Sequence, residues 1–513
     1  MLSPLPLLSA PPVAPTDSPT SDTAIWLHQQ RFRLVAQAMA QGIFDALDEE
    51  LQPDVYLLGL PVEDAPILLE PSHYELASER FAGVLQRAGD HPLSITGQKF
   101  NADMQFSESA IRMKEYGLGV RTAVQQVLDS LDEGGKQQSF AGFPVRVGDC
   151  YVLTVLRLRR KAVRAYPSLI TNRYYTSGKL LAPSLLMAAV QRFQEECVKS
   201  LTDPEPGSGL IMRPRDTEEL VRDAGRLLMD TPAQALSLNP ATALLFSTCN
   251  TISSLRYEGA EGVGKLLLAR RGHPNLEEVF ALTCPTPLTD FRAVRKLLEM
   301  TTVDVSLLTD GENVYALGRQ HGHYDTSRED LFVVSFTTHY AWEFQHDGKV
   351  LMRTTYGLPM LPRARLNRTH FRTDLRRTFD LTNPAKVERL WDVVMEASRQ
   401  KHGTLMVITT EALAEADRLK LQCTLIEPVP LTPLITRLVT AIDGAVLLDP
   451  ESYCYSIGVI LDGTATGRGN STRGARYNSA IRYVQSSPYP CMAIVVSEDG
   501  LVDVITKGSL EEE

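Results

Sequence analysis

Asp443-Gly444-Ala445-Val446-Leu447-Leu448 sets an acidic residue and a glycine directly before a short apolar run. Such a run, bounded by turn residues, suits a strand buried on both faces. A carboxylate at its start can offer oxygens to a metal, while the glycine lets the backbone approach a ligand closely. Taken alone, Asp-Gly ahead of a strand is equally an ordinary turn, so the flanks decide. Upstream, Val387–Lys401 carries Leu390, Val393, Val394 and Ala397 on one helical face and ends at His402-Gly403, where glycine supplies the left-handed C-terminal residue. Thr404–Thr409 reads as a buried strand and Leu434–Thr440 as a helix. Downstream, Ile457–Leu461, Ala493–Val496 and Val502–Ile505 read as further strands. Helices alternating with short apolar strands predict an α/β layered domain, a mixed central sheet flanked by helices, over residues 385–507, with 508–513 as an acidic tail.

Two other segments in this domain carry chemistry. Ser471-Thr472-Arg473-Gly474-Ala475-Arg476-Tyr477-Asn478-Ser479-Ala480 lies in a stretch where Arg468, Arg473, Arg476 and Arg482 crowd around Gly467, Gly469 and Gly474. Guanidinium forks bind phosphate bidentately, and backbone N–H groups at glycines add to such a site. The plainer reading is a solvated loop leading into a helix. Val496-Ser497-Glu498-Asp499 puts polar groups at a strand end, although Asp499-Gly500 also reads as a hairpin turn.

In order and spacing these three segments resemble the diadenylate cyclase domain (the DAC, or DisA N-terminal-like, family), which joins two ATP molecules into cyclic di-AMP. The resemblance implies that Asp443 is catalytic and holds a divalent metal, Mn²⁺ or Mg²⁺. The family's Arg-His-Arg aligns with Arg476-Tyr477-Asn478, followed by Ser479-Ala480-Ile481; an alternative register pairs Thr472-Arg473 with the family's Thr-Arg. Arg476 then joins Asp443 as a catalytic residue. Gly444, Ala445, Thr472, Arg473, Tyr477, Asn478, Ser479, Ser497 and Glu498 are the implied nucleotide contacts. His402-Gly403-Thr404 matches the family's lead into its first core strand. Tyr for His and Asn for the second Arg keep hydrogen bonding and lose charge, which bears on turnover more than on binding. Two readings follow: a cyclase that makes cyclic di-AMP and pyrophosphate, or a nucleotide-binding sensor of the same fold. In the family each domain holds one ATP and two domains face each other, so a face-to-face homodimer is implied.

The rest of the chain reads as regulatory. Residues 1–22 are Pro- and Ser-rich and suit a disordered tail. An α+β domain is expected over 23–202, a Pro/Gly linker over 203–209, and a second α+β domain, the presumptive sensor of an unidentified ligand, over 210–384. Within the second, Arg256-Tyr257-Glu258-Gly259, Arg295-Lys296-Leu297-Leu298 and Tyr356-Gly357-Leu358-Pro359 resemble the sensor regions that precede some soluble diadenylate cyclases. Gly259 to Lys265 satisfies G-x-x-x-x-G-K, but Leu266 stands where a phosphate loop needs Ser or Thr, and a turn between strands explains the glycines. His321-Gly322-His323 with Asp325 reads as a loop. At 513 residues and a net charge of -10, a large nonspecific nucleic-acid surface is not expected. The seven dispersed cysteines suit a reducing compartment, and with no run long enough to span a bilayer the expectation is a cytoplasmic protein without membrane contact.

Overall fold

The computed structural model describes residues 24–63, 65–72, 78–90, 108–170, 181–208, 215–238, 244–257, 263–362, 368–398, 403–463, 474–497 and 502–511. The expected N-terminal tail falls outside them. The chain divides into two compact units, residues 1–362 and 363–513.

The first unit opens with α1 (Gln29–Leu47), β1 (Asp54–Pro61), β2 (Leu68–Glu70), α2 (Val84–Asp90), α3 (Glu108–Asp132), β3 (Gln137–Ala141), β4 (Val145–Val147), β5 (Cys150–Arg159), α4 (Arg160–Ala165) and α5 (Leu185–Leu201). The strands form one antiparallel sheet in the order β2-β1-β5-β3, with β4 also on β5. A hairpin joins β4 to β5: Val147 pairs with Cys150 across Gly148, whose φ of +60° suits glycine. Period-two burial splits β1 between two cores. Val55 and Leu57 join α1 and α5, whereas Tyr56 and Leu58 join α3. Ser184 caps α5, its Oγ accepting from Met187 N–H at 3.3 Å.

The unit continues with α6 (Thr217–Ala235), α7 (Leu245–Ser254), β6 (Gly264–Leu268), β7 (Leu276–Pro287), α8 (Phe291–Leu298), β8 (Ser306–Thr309), β9 (Asn313–Gln320), β10 (Phe332–Thr338), β11 (Ala341–His346), β12 (Lys349–Thr355) and β13 (Leu358–Met360). These strands make an eight-stranded sheet, β13-β12-β11-β10-β6-β8-β9-β7. Lys265 sits inside β6, with Leu266 to Leu268 pairing parallel to β8, so a strand follows the glycines and the phosphate-loop reading fails. Residues 321–325 are a loop, as expected. One apolar core extends from Phe32 to Leu361 and spans both expected N-terminal domains. The stretch read as a linker is docked rather than free: Trp26 Nε1 donates to the Pro206 carbonyl at 2.8 Å, and a Cβ on Gly207 would lie 2.7 Å from the His28 oxygen.

The second unit begins before the expected boundary, because α9 (Arg368–Phe379) buries Phe371 and Leu375 in its core. Then come α10 (Pro384–Ala397), β14 (Thr404–Thr409), α11 (Ala412–Arg418), β15 (Thr424–Pro430), α12 (Pro433–Val439), β16 (Ala445–Leu448), β17 (Tyr453–Val459), α13 (Ala475–Ser486), β18 (Cys491–Val496), β19 (Val502–Thr506) and α14 (Lys507–Glu511). The expected acidic tail starts as α14, with Leu510 buried. The six-stranded sheet runs β15-β17-β16-β14-β18-β19; β14 and β16 are parallel and the other neighbours antiparallel, the mixed sheet read from the sequence. Met406, Ile408, Val446 and Leu448 face the core of α9, α10 and α12, while Leu405, Val407, Ala445 and Leu447 face that of α11, α13 and α14. Burial on both faces explains the near-continuous apolar character of these strands. No helix among the described residues is long and apolar enough to cross a membrane, and all seven cysteines are free thiols.

Candidate functional site

The register fixes which strand ends meet. Leu405 pairs with Ala445 on β16, and its neighbour Thr404 pairs with Val496 on β18. Because β16 starts where β18 ends, Asp443-Gly444 and Ser497 emerge at the same end of the sheet, flanking the start of β14. Gly444 has φ +102°, and a Cβ there would fall 2.6 Å from the carbonyl carbon of Gly458, itself at φ +62° on β17. Only glycine lets the turn before β16 press so closely on its neighbouring strand.

The first turn of α13 carries Arg476, Tyr477 and Asn478. Arg476 Nη2 donates to Asp443 Oδ1 at 3.0 Å, joining the two residues expected to be catalytic. The Asp443 side chain is 92% exposed and that of Arg476 37%, so the pair lies open to solvent and available to a ligand. Gly474, the N-cap, provides no side-chain cap, leaving the helix N-terminus with the N–H groups and partial positive charge that suit an anion. Tyr477 is half-buried against the α13 core, and Asn478 and Ser479 are likewise partly exposed. Ala445 is wholly buried, its side chain in the core of α11, α13 and α14, so it is not exposed at the site. Thr472, Arg473 and Glu498 lie outside the described residues, as do Arg468 and His402.

Among the described residues no group of three or more His, Cys, Asp or Glu side chains could cage an ion. A lone exposed carboxylate beside a guanidinium fits a divalent cation carried in by a triphosphate, the way Mg²⁺ is commonly bound.

A second cluster holds α13 in place. Glu415, 1% exposed, accepts two bonds from Arg418, at 2.9 and 2.8 Å, and one from the Tyr483 hydroxyl at 2.7 Å. Arg418 also forks onto Asp462 at 2.6 and 2.9 Å. Burial, and then the bond to Glu415, push the Tyr483 hydroxyl far above the ordinary tyrosine range; Arg418 holds Asp462 below the ordinary aspartate range. These residues went unread in the sequence. Tyr483 and Glu415 are 68 positions apart, so no local sequence pattern joins them.

Comparison with known proteins bears on this unit and on the first. Residues 392–510 match the DAC family model, described as DisA bacterial checkpoint controller nucleotide-binding. Residues 25–229 match the model described as Probable sensor domain DACNG, and residues 243–348 that of Probable sensor domain DACNH. Among solved structures, a double mutant of DacA from Staphylococcus aureus is similar at 16% identity, covering 24% of this chain and 83% of that one, with a TM-score of 0.21. A hypothetical membrane spanning protein from Bacillus cereus is similar at 20% identity, covering 26% and 65%, also with a TM-score of 0.21. No curated protein matches the chain. The C-terminal unit of this chain is thus a domain of the DAC family, preceded by segments that match the DACNG and DACNH sensor domains.

Proposed function

We propose that the C-terminal unit is a diadenylate cyclase, condensing two ATP into cyclic di-AMP with release of two pyrophosphates, and that the first unit gates it. The observation that carries this reading is the Asp443–Arg476 pair, at the same end of the sheet as Ser497, within a DAC-family domain. In each step a ribose 3′-oxygen forms a bond to the α-phosphorus of the other ATP, the bond from that phosphorus to the bridging oxygen breaks, and the hydroxyl proton leaves to solvent or base. Arg476 exchanges its bond to Asp443 for the triphosphate, and Asp443 is freed to face the cation that accompanies it. When bound, Mn²⁺ or Mg²⁺ supplies charge neutralisation at the phosphates. Ser497, and Glu498 after it, support the polyphosphate from the end of β18. Each domain holds one ATP, so two copies must meet face to face, and control of that encounter is a means for the sensor segments to act. A cytoplasmic location accords with an ATP substrate.

Tyr477 and Asn478 favour a second reading. The family's His and second Arg are replaced by uncharged groups, leaving less positive charge to meet departing pyrophosphate. A nucleotide-binding sensor of the same fold would keep ATP affinity and lose turnover. Incubating the full chain with ATP and Mn²⁺ and separating the nucleotides distinguishes them: cyclic di-AMP supports the cyclase, and bound but unconverted ATP supports the sensor.

A further inference from the structure

The first unit contains a cavity of about 740 Å³ at the junction of α3, α4 and α5, within the size range of small-molecule sites. Its lining is unusual in carrying both charges. Arg160 and Arg164, one helical turn apart on α4, supply cations; Asp129, in the last turn of α3 and accepting from Gln125 Nε2 at 2.8 Å, and Glu133, just after the helix, supply anions. Among the described residues no ion pair joins these four. Arg160 gives one Nη to the Asp132 carbonyl, while its Nε is buried with no hydrogen-bond partner. Ser184 and Met187 bring the N-terminus of the 17-residue helix α5 to the same cavity, which adds partial positive charge. Leu186, Met187 and Val163 give it an apolar surface.

We propose that this cavity binds a free amino acid, as a zwitterion. Its carboxylate lies against Arg160, Arg164 and the α5 N-terminus; its ammonium lies toward Asp129 and Glu133; its side chain rests on Leu186 and Met187. A simple anion would face the carboxylates of Asp129 and Glu133, and a simple cation would face the guanidinium groups of Arg160 and Arg164, so neither matches a lining that carries both charges. The cavity falls within the segment matching DACNG, so the amino acid is a candidate signal for the unit, but its binding does not depend on whether the C-terminal unit turns over ATP.

The test is calorimetric titration of the full chain with each of the twenty L-amino acids, without nucleotide. At least one is expected to bind saturably, its des-amino acid and its carboxamide at least tenfold more weakly. Arg160→Gln is expected to weaken that binding at least tenfold. Arg160 also bonds Asp132, so Arg164→Gln and Glu133→Gln, at exposed positions, serve as variants that keep the fold; each is expected to weaken binding severalfold. Absence of saturable binding by all twenty overturns the proposal. So does equal binding of the des-amino acid, which would mark an anion site, or binding unchanged in both Arg164→Gln and Glu133→Gln.

Discussion

Arg476 Nη2 lies 3.0 Å from Asp443 Oδ1 across 33 positions of sequence, joining the first turn of α13 to the turn before β16. Neither side chain is needed to fill the core: both reach outward from elements fixed by other residues. On the proposed function, the demand on this pair is chemistry rather than packing. Asp443→Asn is therefore expected to leave the melting temperature unchanged and to cut cyclic di-AMP formation by at least about a hundredfold, the scale seen when a transition-state charge partner is lost. Arg476→Ala should do the same while also weakening ATP binding, as read by calorimetry. Retained product in either variant would remove the pair from catalysis.

Gly444→Ala separates backbone from side chain. The new methyl would meet the Gly458 carbonyl carbon at 2.6 Å, in a backbone conformation with φ +102° that alanine disfavours. Denaturant unfolding should show a loss of about 2 kcal/mol or more, with the Asp443–Arg476 geometry disturbed as well. A variant as stable as wild type would mean the turn has room that the backbone does not show.

Tyr483→Phe removes one of the three hydrogen bonds to the buried Glu415 carboxylate. A loss of about 1–2 kcal/mol is expected, since a buried charge keeps only its Arg418 partners. If α13 is positioned by this bond, the variant should also lower the affinity for ATP although Tyr483 is buried, two turns along the helix from Arg476; unchanged affinity would limit Tyr483 to packing.

Asp462 gives the second unit an acid-sensitive clasp. Its bond to Arg418 lowers its folded pKa below the ordinary 3.8, so the associated stability is fully present above about that pH and is lost as pH falls through the lower folded value. Both side chains are over two-fifths exposed, so solvent screening keeps the effect modest. The stability gap between wild type and Asp462→Asn should be constant near neutrality and narrow below about pH 4. A gap that persists unchanged to lower pH would show that the ion pair is not its source.

Much of the second unit was legible because its central strands are buried on both faces. Thr404–Thr409 and Ala445–Leu448 read as continuous apolar runs and are strands over those residues. β15 was not legible: Thr424–Pro430 is an exposed edge strand with two prolines and a bulge between Leu425 and Val429, so it shows no alternating pattern. In the first unit β7 escaped notice for the same reason, being an exposed edge from Leu276 to Pro287. Asp443, Gly444, Arg476 and Ser497 could be picked out because the segments that carry them resemble those of the diadenylate cyclase family; each sits at or next to an element end. The Glu415–Arg418–Asp462–Tyr483 cluster could not, because its members join only when the sheet has folded.

The phosphate-loop reading leaves its own check. Lys265 lies in mid-strand, so Lys265→Ala should bind ATP as wild type does. Loss of nucleotide binding in that variant would place the site in the first unit.

The central claim is that Asp443 and Arg476 act on one bound triphosphate to build a phosphodiester. It is tested most directly by giving α-³²P-labelled ATP and Mn²⁺ or Mg²⁺ to wild type and to Asp443→Asn, side by side. The account predicts labelled cyclic di-AMP with two pyrophosphates per product from wild type and none from the variant. ATP bound by wild type yet recovered unconverted with either metal, or equal product from both proteins, would contradict it.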